Sequence, residues 1–226
     1  MEGSGTTPAG PVPPAAPGPV RNGWWMPGDP APLGLAGFAL TTFMLGLVNA
    51  NAVSAGDTTT VLSVAAAYGG LVQLLAGMWA FREGNTFAAV AFSSYGGFWI
   101  SFVFLLQFFL PETIKGAGAL GADHSIALYL FCWGFFTFYM WIASFRTTVA
   151  VNLVFLTLWV AYGLLGWGML GSGHTTITHI GGYVTTACAV IAWYTSAALV
   201  INETHGRTLL PVVPLTGRAA IAQHGE

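Results

Sequence analysis

Apolar and polar positions fall along this chain in long blocks, not with the period of a surface helix or a half-buried strand. No charged residue occurs within residues 30–56, 58–81, 84–111, 124–145 or 147–202. A helix needs about 20 apolar residues to cross the hydrocarbon core of a bilayer, so each of the first four blocks holds one span. The fifth block is too long for one span and is interrupted at Gly171, Ser172, Gly173 and His174, so it holds two. The pattern predicts six transmembrane helices, over residues 33–53, 61–81, 88–110, 125–145, 149–170 and 177–201. The expected fold class is an all-α integral membrane protein, multi-pass in the cell membrane.

Composition strengthens this reading. Of 226 residues only 6% are charged and 55% are apolar, whereas a soluble domain carries about 25% charged residues. Six spans put both termini on one side. That side holds Arg21, Arg82, Arg146, Arg207 and Arg218, and the other holds only Lys115. The bias places both termini in the cytoplasm. No basic cluster points to nucleic acid. Cys132 and Cys188 each lie within a span, where a thiol acts as a small hydrophobe.

Residues 1–28 hold seven of the twelve prolines and little that could be buried, so they read as a disordered cytoplasmic tail. They lack the basic and apolar regions of a signal peptide. Residues 29–202 form the membrane domain, and residues 203–226 a short cytoplasmic tail. Residues 111–123 are expected to be the longest loop between spans. The turns Gly-Asn-Thr at 84–86 and Gly-His-Thr at 173–175 echo each other, at the starts of spans three and six. Inverted three-helix halves would produce such an echo, and so would chance.

No Asp, Glu, Lys or Arg lies inside a span, so the buried carboxylate relay common in proton pumps is missing. His179 is the one titratable relay candidate, and it also suits an interfacial histidine bonded to backbone. No histidine, cysteine or carboxylate cluster has metal-ligand spacing, and no cofactor or catalytic set is expected. The spans do carry neutral hydrogen-bonding groups, among them Thr41, Thr42, Gln73, Asn85 and Thr86. Some of these tie helices together, and others are candidates to line a wet path. Asn85 suits a helix N-cap, and the N–H groups it introduces also suit an anion. The stretch Asp-Pro-Ala-Pro at 29–32 suits a helix entry. Backbone groups near Leu33, Gly34 and Leu35 are a second candidate surface for a carboxylate.

The stretch DPAPLGL at 29–35 resembles the NPAPLGL signature of the acetate uptake transporter family, the succinate–acetate permeases. GNTF at 84–87, FSSYGGFW at 92–99 and NETHGRTLLP at 202–211 are similar to further motifs of that family, in the same order. The resemblance covers nearly all of residues 29–211. It implies a homohexamer with one pore per protomer, passing acetate or a similar small carboxylate. It also implies an apolar constriction of Phe38, Tyr95 and Leu158, from spans one, three and five, and a size-tuning position at Ala192. Asp29 stands where the family has Asn. An anion at the mouth opposes an entering carboxylate, although salt screens exposed charge over about 8 Å. Weak donors without a fixed cation would suit fast passage. The competing expectation is a non-transporting sensor or scaffold. In that case the aromatic stripe of span four, Tyr129, Phe131, Trp133, Phe135, Phe136 and Phe138, would be its contact surface.

Overall fold

The computed structural model describes residues 28–171 and 175–215. Most of the proline-rich tail, with Arg21, and the terminal stretch with Arg218 lie outside them. The described residues form helices α1 Ala31–Asn49, α2 Ala55–Glu83, α3 Thr86–Phe104, α4 Leu110–Ser144, α5 Val149–Gly168 and α6 Thr175–His205. A π-helical stretch, Leu105–Phe109, joins α3 to α4, and another, Ala65–Val72, lies within α2. Five continuous helical runs are long and apolar enough to cross a membrane.

One of those runs, Thr86–Ser144, has 59 residues and would measure about 88 Å if straight, far more than a bilayer core. It is not straight. Tyr95 and Thr137 are 42 residues apart yet hydrogen-bonded at 2.9 Å, so α3 and α4 lie side by side and the run folds back on itself. Inside α4 only Gly118 leaves helical geometry, with φ 71° and ψ −178°, a region open to glycine alone. The expectation of a loop at 111–123 is therefore corrected: this segment is helix broken at one residue. Pro111 opens it at a position that needs no N–H, and Lys115 pairs with Glu112 one turn back at 2.7 Å.

The other elements begin and end where local chemistry directs. Asp29 accepts from the Ala31 N–H at 2.8 Å ahead of α1. Gly84, at φ 79°, closes α2. Asn85 and Thr148 cap α3 and α5 by accepting from Ala88 and Val151. The starts of α1, α3 and α5 gather at one end of the bundle with the end of α6, since Ala31, Asn85, Thr147 and Leu199 line a common cavity. The chain beyond α6 turns back to this end. Asn202 holds it there, accepting from Leu209 and Leu210 N–H and donating to the Leu210 carbonyl. The Val149 N–H then donates to the Val213 carbonyl, and the Leu215 N–H to that of Thr147.

Between helices, a few hydrogen bonds tie neighbours together. The Ser196 hydroxyl donates to the Pro32 carbonyl at 2.7 Å, tying α6 to α1. The Asn152 amide donates to Ser144, tying α5 to α4. Ser101 and Tyr129 join α3 to α4, the Tyr129 hydroxyl donates to the Phe98 carbonyl, and the Cys188 thiol donates to the Val154 carbonyl; around these the contact is apolar, with Phe38, Phe92, Phe98, Phe155 and Leu158. Both cysteines are free thiols.

Candidate functional site

Three cavities follow one another through the interior. The first, of about 180 Å³, opens at the end of the bundle where the helix starts gather, and Phe38, Tyr95 and Leu158 lie among its walls. The second, about 30 Å³, shares Phe38 and Leu158 with the first. The third, about 150 Å³, shares Leu45 and Leu165 with the second. No charged residue lines any of the three among the described residues.

The waist between the first two cavities is built by α1, α3 and α5. The Phe38 and Tyr95 rings lie 5.7 Å apart, and all three residues are at most 5% exposed. Tyr95 is held from both sides. Its ring meets Phe136 edge-on at 5.4 Å, and its hydroxyl reaches Thr137. Because the Thr137 hydroxyl donates to the Trp133 carbonyl at 2.8 Å, Tyr95 is the donor to Thr137. The phenol is thereby anchored on α4, leaving the ring to form the waist.

The other sequence candidates fall into different surroundings. Leu35, Gln73 and Asn85 line the first cavity. Thr42 lines the second. Thr41 is buried but donates to the Gly37 carbonyl at 2.6 Å, the routine partner of a helix threonine. A Cβ on Gly34 would fall 2.7 Å from the Phe92 ring, so its hydrogen lets α3 approach. Its N–H is already bonded to the Pro30 carbonyl. Leu33 faces an open groove with Asp29 and Glu203, outside the cavity series. Thr86 is exposed, His179 half-buried and Ala192 fully buried, and none of the three lines the cavities described above.

Hydrogen bonding separates adhesive groups from path groups. Thr137, Thr185, Thr186 and Thr195 each donate to a carbonyl one turn back. In contrast, the Thr42 hydroxyl, Gln73 Oε1 and Trp99 Nε1 are buried with no protein partner, and all three residues line cavities. Ser93 Oγ and Trp141 Nε1 are also unmatched and line none of the three cavities, and an unmatched buried polar group costs about 1–3 kcal/mol wherever it lies. Gln73 follows directly on the π-helical stretch. One extra residue in that turn rotates the following face by about 100°, which brings Gln73 round to the cavity. Asn85 uses its Oδ1 as the cap, which leaves its NH₂ as the side chain's remaining donor.

Sequence reasoning did not single out Trp99, Phe102, Leu45, Tyr162 or Leu165 as cavity walls. These spans are apolar on every face, so no periodicity marks the face turned to the path. The available signal was spacing: Leu45, Phe102 and Leu165 stand seven residues beyond Phe38, Tyr95 and Leu158, and Trp99 and Tyr162 four residues beyond Tyr95 and Leu158.

A bundle of long apolar helices around a series of uncharged cavities defines a multi-pass membrane protein. Residues 14–217 match the model of the GPR1/FUN34/yaaH family, and the chain belongs to that family. It is 40% identical to acetate permease A of Emericella nidulans over 84% of this chain and 69% of that protein. It is 35% identical to the succinate-acetate/proton symporter SatP of Escherichia coli, over 81% of this chain and 94% of that protein. The solved structure of the bacterial acetate channel SatP superposes with a TM-score of 0.73 at 34% identity, over 82% of this chain and 99% of that one.

Proposed function

We propose that this protein carries acetate, and other carboxylates of similar size, across the cell membrane through one pore per protomer. In this reading α1 to α6 are six spans, with α3 and α4 as separate crossings. The five-to-one arginine and lysine bias puts both termini in the cytoplasm, so the first cavity is the cytoplasmic vestibule. The names carried by the relatives point to acetate. The observation that carries the reading is the Phe38–Tyr95–Leu158 waist set between two uncharged cavities.

The chemistry is that of a weak, multi-site pore. Gln73 and Asn85 offer amide donors in the vestibule and Thr42 offers a hydroxyl past the waist, while no cation holds the anion in place. Binding should be roughly millimolar, as fast exit requires. The waist strips hydrated ions and rejects larger acids. Passage is channel-like or proton-coupled, and the lining of the three cavities, without carboxylate or histidine among the described residues, favours the first. Ala192 acts on size from behind the wall, and the protomers pack as a homohexamer in the bilayer, as the resemblance implies.

The test is uptake of radiolabelled acetate into liposomes containing the purified chain, with and without a pH gradient. Uptake well above empty liposomes, independent of the gradient, is expected. No uptake from folded protein would favour the sensor or scaffold reading, with the exposed aromatic face of α4 as its contact surface.

A further inference from the structure

The first waist is repeated. Seven residues beyond Phe38, Tyr95 and Leu158 stand Leu45, Phe102 and Leu165. Seven residues are nearly two helical turns, so each residue of the second set lies on the same helix face, about 10.5 Å further along. The three helices start at the same end of the bundle, so the three displacements point the same way. Leu45 and Leu165 wall both the second and third cavities, and Phe102 walls the third. Phe102 and Leu165 are each 7% exposed. Beyond them the third cavity carries Asn49 and Thr58, so polar groups stand past the second set as Gln73 and Asn85 stand before the first.

Between the two rings lies the 30 Å³ chamber. It is the smallest of the three cavities, against about 180 and 150 Å³ on either side. Two of its walls nevertheless end in buried donors without a partner, the Thr42 hydroxyl and the Trp99 indole N–H. Trp99 is only 2% exposed. Donors fixed at a position closed on both sides serve a solute that passes through it, not one that waits outside.

We propose that Leu45, Phe102 and Leu165 form a second gate in series with Phe38, Tyr95 and Leu158. The two gates enclose a transit chamber where Thr42 and Trp99 meet the carboxylate. The proposal rests on the transport reading. It adds that size selection is made twice, and that neither ring alone sets the rate. Barriers in series add as resistances, so removing one of two similar barriers raises flux by about twofold at most, whereas removing both raises it by about tenfold or more.

The experiment uses the full chain in liposomes and compares Leu158→Ala, Leu165→Ala and the double variant in acetate uptake. Small single effects and a double effect well above their product are expected. A double variant no faster than Leu158→Ala alone would overturn the second gate. A second measurement does not depend on transport. Thr42→Cys, in a chain with Cys132→Ala and Cys188→Ala, is exposed to a membrane-impermeant thiol reagent from each side. The gates predict protection from both sides, loss of protection from the cytoplasmic side with Leu158→Ala, and loss from the outer side with Leu165→Ala. Labelling from outside with Leu165 intact would refute the gate. If no variant moves acetate but this pattern holds, the transport reading fails and the double gate stands. Leu165→Val, which keeps more of the side chain, checks that any change comes from the opening and not from misfolding.

Discussion

Gln73 offers the most direct test of an uncharged vestibule. Gln73→Glu keeps the shape of the side chain and replaces an amide by a carboxyl. The first cavity is walled along α1 from Ala31 to Phe38, a rise of about 10 Å, so a carboxylate travelling along that stretch passes within roughly that distance of the new group. Two like charges 10 Å apart at an effective dielectric of 20 repel by about 1.7 kcal/mol. That is a loss of about fifteenfold in occupancy. A carboxyl is neutral in acid and charged in alkali, so the repulsion is absent at low pH and present at high pH. Acetate uptake measured with equal pH inside and outside, and normalised to the anion concentration, should match the native protein in acid and fall by roughly tenfold or more in alkali. Gln73→Leu, which adds no charge, should lower uptake with no such pH dependence. Native-like uptake by folded Gln73→Glu in alkali would refute the placement of Gln73 on the path.

Other consequences follow from particular contacts. Leu158→Ala combined with Leu165→Ala should shift uptake toward succinate relative to acetate, and an unchanged ratio in vesicles would count against the two rings as size filters. Tyr95→Phe removes a buried hydrogen bond to Thr137 while Thr137 keeps its bond to Trp133; thermal unfolding in detergent should show a loss of about 1 kcal/mol. Gly118→Ala forces a side chain into a backbone region reserved for glycine and should destabilise the fold-back of α3 on α4 by about 1–3 kcal/mol, seen as a lowered melting temperature. Asn202→Ala leaves the Leu209 and Leu210 N–H groups without their shared acceptor. Freeing the segment that ends in the Thr147–Leu215 contact should make residues 206–215 more sensitive to protease.

The sequence by itself determined the class. Fourteen charges in 226 residues, gathered between uncharged blocks, permit only helices buried in lipid, because backbone groups there must be satisfied within each segment. The cap at Asn85 and the helix entry after Asp29 were legible because they are local. Two things were not. The turn between spans three and four was expected at residues 111–123, but its helical form was not, because only Gly118 leaves helical geometry there while Ala, Leu, Glu and Lys around it favour helix. The path depends on which face of each span meets its neighbours. In a soluble protein polarity marks the outer face, but lipid, core and pore waist are all apolar here, so the composition of Leu45, Phe102 and Leu165 carried no sign of their position. Only tertiary packing decided that Thr41 spends its hydroxyl on its own helix while Thr42, the next residue, turns an unmatched one into the chamber.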